Sequence, residues 1–424
     1  MVSSVANAGN GTTADAGTGS SQNGTFTVSG LVPGDKLSGT VTSNSAAQGT
    51  YTYAANTAAP SFTTTNGIDN YTVTYDLTQT INKAALAITL SSSKTYDGTV
   101  MVSSVANAGN GTNIADAGTG AGQSGTFTVS GLVTGDKLSG TVTSDSPDQG
   151  TYTYAGGTCT PSFTTDNGIG NYTVTYDLTQ TINKAALSIT LNSSKTYDGT
   201  VMVSKVTNAE NGTSIADEGT GASQSGTFTV SGLVSGDKLS GTVTSSSEAQ
   251  GSYSYSSVAG STNTCTPSFT TTKGIDNYTV SYTLAQTINK AALSITLNSS
   301  KTYDGAVMVS SVTETGNGTG IADAGTGASQ SGTFTVSGLV TGDKLSGTVT
   351  SNSAAQGTYT YAANTAAPSF TTTNGIDNYT MTYDLTQTIN KAALAITLNS
   401  SKTYDGTVMC FNETVVIYTG VSSK

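Results

Sequence analysis

The chain has 424 residues, a formal net charge of −11 and only 10% charged side chains, and its 15 basic residues are all lysine. That balance argues against nucleic acid and anionic membrane surfaces as partners, since both are bound by clustered cations. There is no His, no Trp and only three Cys, which argues against imidazole acid–base catalysis, activated Ser or Cys nucleophiles and Cys/His zinc sites, so the chain reads as non-enzymatic.

The pentapeptide KTYDG begins at Lys94, Lys195, Lys301 and Lys402, and its tyrosines Tyr96, Tyr197, Tyr303 and Tyr404 stand 101, 106 and 101 residues apart. Solenoid units are roughly 20–50 residues long, so this period predicts a tandem array of separately cored domains. The boundaries fall at 1–83 (a first repeat lacking its opening strand), 84–184, 185–290 and 291–391 (complete repeats), and 392–424 (the opening strand of a further repeat plus a divergent tail from Cys410). The start in mid-repeat and that tail suggest a fragment of a longer array. No charged stretch followed by an apolar one opens the chain at Met1, and no 18-residue apolar run occurs, so any export address is expected outside this chain and no membrane insertion within it.

Each complete repeat runs in the same order, with small changes: AALxITL, KTYDG, GTFTVSGLV, GDKLSGTVTS, a TYTY or SYSY pair, PSFTT, then NYTVTYDLTQTIN. These are period-two runs rich in Thr, Val and Tyr, broken by Gly, Asn and Asp, which predict seven or so antiparallel strands. In the second repeat Phe127 and Val129 share a face with Leu132 or Val133 beyond them, and Tyr172, Val174 and Tyr176 face opposite Thr173, Thr175 and Asp177. One buried face per strand predicts an all-β, immunoglobulin-like antiparallel β-sandwich. The segments GDK and DNGIGN read as tight turns, and the Gly/Asn/Ala-rich stretch 107–124 as a long loop.

Cys159 and Cys265 stand where other repeats carry Ala58 and Ala366, so each reads as a small buried position, and no repeat holds a pair to oxidise. Asp69, Asp76, Asp97, Asp136, Asp177 and Asp198 leave calcium as the one metal the composition allows, but no DxDxDG loop is present, and turn chemistry is the preferred role with no cofactor. KTYDG itself reads as a structural signature: a Tyr buried at a domain corner, an Asp closing an Asx turn and a Gly at positive φ, that is Tyr96, Asp97 and Gly98; Tyr197, Asp198 and Gly199; Tyr303, Asp304 and Gly305; Tyr404, Asp405 and Gly406. A sharper alternative is an isopeptide cross-link between Lys195 or its equivalents and an Asn such as Asn171. The Tyr152/Tyr154 pair, with both rings expected on one face, is either core or a shallow aromatic strip.

The succession KTYDGT after an xITL strand, then GLVxGDKLSGT, GTYTY and NYTVTYDLTQTINKAAL, resembles the YDG and related MBG-type repeats of large secreted bacterial adhesins of the filamentous-haemagglutinin kind, over nearly the whole chain from Met1 to Met409. The resemblance implies an extracellular, cell-surface stalk of β-sandwich domains that projects a binding region and supports cell adhesion, with other surface or matrix components as partners. The rival expectation is a glycan- or host-surface-binding module built on the repeated Tyr pairs. The incomplete first repeat and the matching strand 392–408 also predict head-to-tail self-association.

Overall fold

The computed structural model describes residues 1–407; Val408, Met409 and the tail from Cys410 lie outside the described residues. The described residues form two compact units, one of Met1–Lys195 with Thr200–Ile288, the other of Thr196–Gly199 with the described residues from Asn289. The fold is all-β, built from repeated β-sandwich sheet groups. Among the described residues no helix is long and apolar enough to cross a membrane.

The second repeat, inside the first unit, defines the plan. Its strands are β1 (Ala84–Thr95), β2 (Val102–Ala108), β3 (Gly111–Ala115), β4 (Ser124–Ser130), β5 (Leu138–Ser144), β6 (Gly150–Thr153), β7 (Cys159–Thr165) and β8 (Tyr172–Asn183). One sheet has the order β3-β4-β1-β8-β6 and the other β2-β5-β7. Leu86, Ile88 and Leu90 of β1, Phe127 and Val129 of β4, and Leu178 and Ile182 of β8 are buried, as are Leu138 and Val142 of β5. Burying an aliphatic side chain contributes about 1.5–3 kcal/mol, so the three apolar residues of β1 alone are a large part of a domain's stability. Sheets of the same order recur over Ala185–Asn289 and, in the second unit, over Ala291–Asn390.

Three expectations are corrected here. The all-antiparallel sheet is wrong at its centre: β1 and β8 pair in parallel from Tyr172 opposite Ala84 to Asn183 opposite Thr95, while the other pairs are antiparallel. The first and last strands of a domain thus point the same way, and the chain enters at one end and leaves at the other. The stretch 107–124 is not one loop, because it contains β3 and is fastened by Asp116. One carboxylate oxygen of Asp116 accepts from Ser104 N and Gly118 N, and the other from Ser92 Oγ and Gln123 Nε2, all at 2.5–2.9 Å. In the second repeat the Tyr pair does not share a strand face, whereas in the third Tyr253 and Tyr255 both lie in the strand Gly251–Ser256, opposite Gln286 and Leu284. β6 ends at Thr153; Tyr152 is buried with its hydroxyl donating to Asp148 O at 2.6 Å, whereas Tyr154 passes into the turn and is 43% exposed.

Of the two candidates beyond β4, Leu132 goes inward and Val133 outward. Gly131 permits that exit: at φ +98° it lies so close to β1 that a Cβ would sit 2.1 Å from Ala85 O, a space and a backbone angle open only to glycine. Cys159 and Cys265 are free and buried, and burial raises both thiols, Cys265 to about 11, with Asp145 adding to the effect at Cys159.

The first sheet group keeps its three-stranded sheet, Val2–Ala8, Leu37–Ser43 and Ala58–Thr64, but the five-stranded sheet is replaced by two separate pairs. Gly11–Ala14 pairs with Thr25–Val28, and Gly49–Thr52 with Thr78–Ile81. Residues 71–77, the counterpart of the first half of β8, are not in a strand.

Candidate functional site

The signature residues gather at the ends of the domains. β1 carries Lys94 into the interior, 1% exposed, and a buried ammonium must be met by oxygen. Its Nζ donates to Asp97 Oδ1 at 2.6 Å, Thr99 O at 2.8 Å, Thr99 Oγ1 at 2.9 Å and Val100 O at 3.3 Å. Asp97 Oδ1 also accepts from Thr99 N at 3.0 Å, an Asx turn, and its Oδ2 from Ala121 N, while Gly98 supplies φ +77°. Burial pulls the Asp97 carboxyl upward but is outweighed by the Lys94 ammonium, the Thr99 hydroxyl and the two backbone N–H groups, which hold it well below the usual range.

Lys195 donates in the same way to Thr200 O, Thr200 Oγ1 and Val201 O, and Lys301 to Asp304, Ala306 O and Val307 O. The isopeptide alternative names Lys195 and Asn171, whose hydrogen bonds run to different partners. Asn171 is committed elsewhere, its Oδ1 accepting from Gln48 N at 2.8 Å and its Nδ2 donating to Asn167 O at 2.5 Å.

The tyrosine of the motif leaves its own domain. Within the first unit Tyr96 is 2% exposed and packs edge to face on Tyr278, which lies in the next sheet group, with ring centroids 5.5 Å apart. Tyr278 donates its hydroxyl to Asp237 Oδ2 at 2.8 Å and accepts from Val234 N at 3.1 Å. Beside it Asn277 Oδ1 accepts from Gln149 N at 2.7 Å, and its Nδ2 donates to Asp148 Oδ1 at 3.0 Å. Desolvation, then Asp237 and Asp148, push the Tyr96 hydroxyl above its ordinary value. Within the second unit Tyr197 meets Tyr379 in the same way, 5.6 Å and 80°, and donates to Asp343 Oδ2 at 3.3 Å. Gly199 there has φ +76°, and Asp198 is half-buried.

The remaining copies of the motif have no such cover. Tyr303 is 47% exposed and Tyr404 93%, although Asp304 and Asp405 still accept from Lys301 and Lys402 at 2.6 and 2.7 Å, and Gly305 and Gly406 keep positive φ. Within the first unit the joint is therefore a cluster of Tyr96, Tyr278 and Asp237 plus a clamp by Asn277 on Gln149 N and Asp148 Oδ1.

Two features escaped sequence reasoning. Gln180, wholly buried, reaches from β8 across the sandwich, its Nε2 donating to Ser103 Oγ at 2.8 Å and Val142 O at 3.1 Å; Gln79, Gln286 and Gln387 do the same. The recurrence of DLTQTI and TLAQTI was the available signal. The second is a row of rings from core to surface: Phe127 on Phe163 at 6.3 Å, Phe163 on Tyr176 at 5.9 Å, and Tyr176 on Tyr154 at 4.9 Å, repeated in the other sheet groups.

Among the described residues no three Cys, Asp or Glu gather in the manner of a metal site. Asp136 is buried with Oδ1 accepting from Asn167 N and Lys137 N and Oδ2 from Tyr172 at 2.7 Å. Asp69, Asp76 and Asp177 are exposed and apart from it. Sandwich, repeated joint and satisfied carboxylates together define a tandem β-sandwich repeat array. No family model matches the chain, and no curated protein aligns with it significantly.

Proposed function

We propose that the chain is a non-enzymatic, repetitive stalk of a bacterial cell-surface or secreted adhesin, holding a binding region away from the envelope. The observation that carries this reading is the joint. Tyr96 on Tyr278, and Asn277 held by Gln149 and Asp148, bury aromatic and polar groups between successive sheet groups of the first unit, where a flexible linker would leave them wet. Parallel first and last strands suit the same task, because each domain passes the chain from one end to the other. The surface location, secretion and adhesion in this reading rest on the sequence resemblance to YDG and MBG-type repeats.

The test is a surface display in which the array separates a membrane anchor from a reporter binding domain. Removing residues 185–290 is expected to shorten the reporter's reach to an immobilised ligand while its affinity in solution is unchanged. Binding of host cells by the array without the reporter would overturn the stalk reading.

A glycan-binding module is the second reading, favoured by one half-exposed ring in each of three repeats: Tyr53, Tyr154 and Tyr361. Each of these is held edge to face by a second tyrosine, at 68–70°, and not laid flat beside it as a sugar platform would be. Glycan-array binding lost on Tyr154→Ala would favour the module.

A further inference from the structure

The two sheets of the second repeat have four edges, formed by β2, β7, β3 and β6. β7 carries Pro161, paired with Val142 and with no N–H to offer a neighbour, and Pro60, Pro267 and Pro368 repeat it. β3 and β6 are only five and four residues long. β2 is different: it has seven residues, Val102–Ala108, none of them charged, and Val102 is 39% exposed. Such an edge is a template for another strand.

In an antiparallel pair alternate residues turn their N–H and C=O outward, and in β2 the outward groups of Val102 and Ser104 meet residues 116–123 in place of a strand. Ser104 N donates to Asp116 Oδ1 at 2.8 Å, Ser104 O accepts from Ala117 N at 2.9 Å, and Val102 O accepts from Gln123 Nε2 at 2.9 Å. Gln123 Nε2 also donates to Asp116 Oδ2, which ties the two side chains together. The segment lies so close that a Cβ on Gly118 would sit 2.3 Å from Val102 O. Its far end is held by the KTYDG turn, where Ala121 N donates to Asp97 Oδ2. The same bonds recur in the other repeats: Val2 and Ser4 with Asp15, Ala16 and Gln22; Val203 and Lys205 with Asp217, Glu218 and Gln224; Val309 and Ser311 with Asp323, Ala324 and Gln330.

We propose that residues 116–123 are a guard over this edge, and that β2 freed of it pairs with β2 of a second copy of the chain. The strand is self-complementary. Antiparallel pairing about a two-fold axis at Ser104 lets its N–H and C=O exchange bonds with those of the other Ser104, and the uncharged residues on either side meet without repulsion. The contact is isologous and closes on a dimer. In the third repeat Lys205 stands at the place of Ser104, where the same pairing would set two ammonium groups against each other. That repeat has a second guard which the second repeat lacks.

Asp116→Ala combined with Gln123→Ala removes both side-chain fasteners. Sedimentation of the full chain under reducing conditions, over a roughly hundredfold concentration range and below the melting transition seen by circular dichroism, reads the outcome. The weight-average mass is expected to rise to about twice that of the parent chain. Adding Ser104→Lys returns it to the parent value, whereas Thr89→Lys, on the exposed face of β1, does not. Asp217→Ala combined with Gln224→Ala leaves the mass unchanged, and adding Lys205→Ser to that pair produces the dimer. If the doubly substituted second repeat is not folded, Gln123→Ala alone, which keeps Asp116 in place, carries the same comparison. A parent-like mass in the folded variant, a rise that Ser104→Lys leaves or Thr89→Lys equally removes, or open-ended growth in place of a dimer would overturn the proposal.

Discussion

Tyr96 and Tyr278 meet edge to face with ring centroids 5.5 Å apart, although they belong to different repeats. Edge-to-face pairs add about 0.5–1.5 kcal/mol beyond the area they bury. The geometry assigns the motif tyrosine to the joint and not to a corner of its own domain, and that assignment separates copies of one motif by their surroundings.

Tyr96→Ala is accordingly expected to lose about 3 kcal/mol, the range for truncating a buried aromatic residue. Tyr303→Ala, the same change in a half-exposed ring, is expected to stay within about 0.5 kcal/mol. Urea denaturation of the two variants checks this, and equal losses would remove the joint.

Lys94→Met leaves Asp97 and two carbonyls without their cation, and removing one partner of a buried pair costs about 3 kcal/mol. Lys402 makes the same contacts with Asp405 and Thr407 in the open, and Lys402→Met is expected to be close to neutral in the same measurement. A loss at Lys402 as large as at Lys94 would mean that the turn, and not burial, sets the cost.

Acid should weaken the fold in a defined window. Asp116, Asp217 and Asp323 each lie below their ordinary value because hydrogen bonds from a serine, a glutamine and two backbone N–H groups outweigh the opposing effect of burial. A carboxyl depressed on folding stabilises the native state above the unfolded value, about 3.9, and that contribution is lost as pH falls through the folded value. The stability gap between the parent chain and Asp116→Asn is thus largest at neutral pH and shrinks below about pH 4. A gap of constant size across that window would sink the assignment.

Gln180→Glu places a carboxylate against Val142 O in a dry core. Burial raises such a group, so the variant is expected to be strongly destabilised at neutral pH and to regain part of the loss as pH falls and the acid protonates. Indifference to pH, followed by melting between pH 7 and pH 5, would show that Gln180 does not bridge the sheets.

Calcium is expected to leave the melting temperature unchanged, since Asp97 and Asp136 are already occupied by N–H and O–H donors. A sharp rise on adding calcium, reversed by chelator, would reveal a site.

The period, the all-β class and the buried face of each strand were determined by sequence alone, because side chains alternate across a strand with period two wherever the strand is paired. The KTYDG turn belongs with them. Its closing hydrogen bonds, from the Lys to the Asp and Thr side chains and from the Thr N–H to the Asp, span five residues or fewer, and they form between Lys402 and Thr407 even where the segment is exposed. The parallel pairing of β1 with β8, the passage of Tyr154 out of its strand, the bridge made by Gln180 and the destination of Tyr96 were decided only by the tertiary structure. Alternation records which face of a strand is buried but neither the direction of its neighbour nor its identity. Each of these four features depends on a partner far along the chain, and four near-identical repeats offer four equivalent candidates. Packing chooses among them: the position of Tyr278 recurs as Tyr71, Tyr172 and Tyr379, and it is the Tyr278 ring that Tyr96 meets.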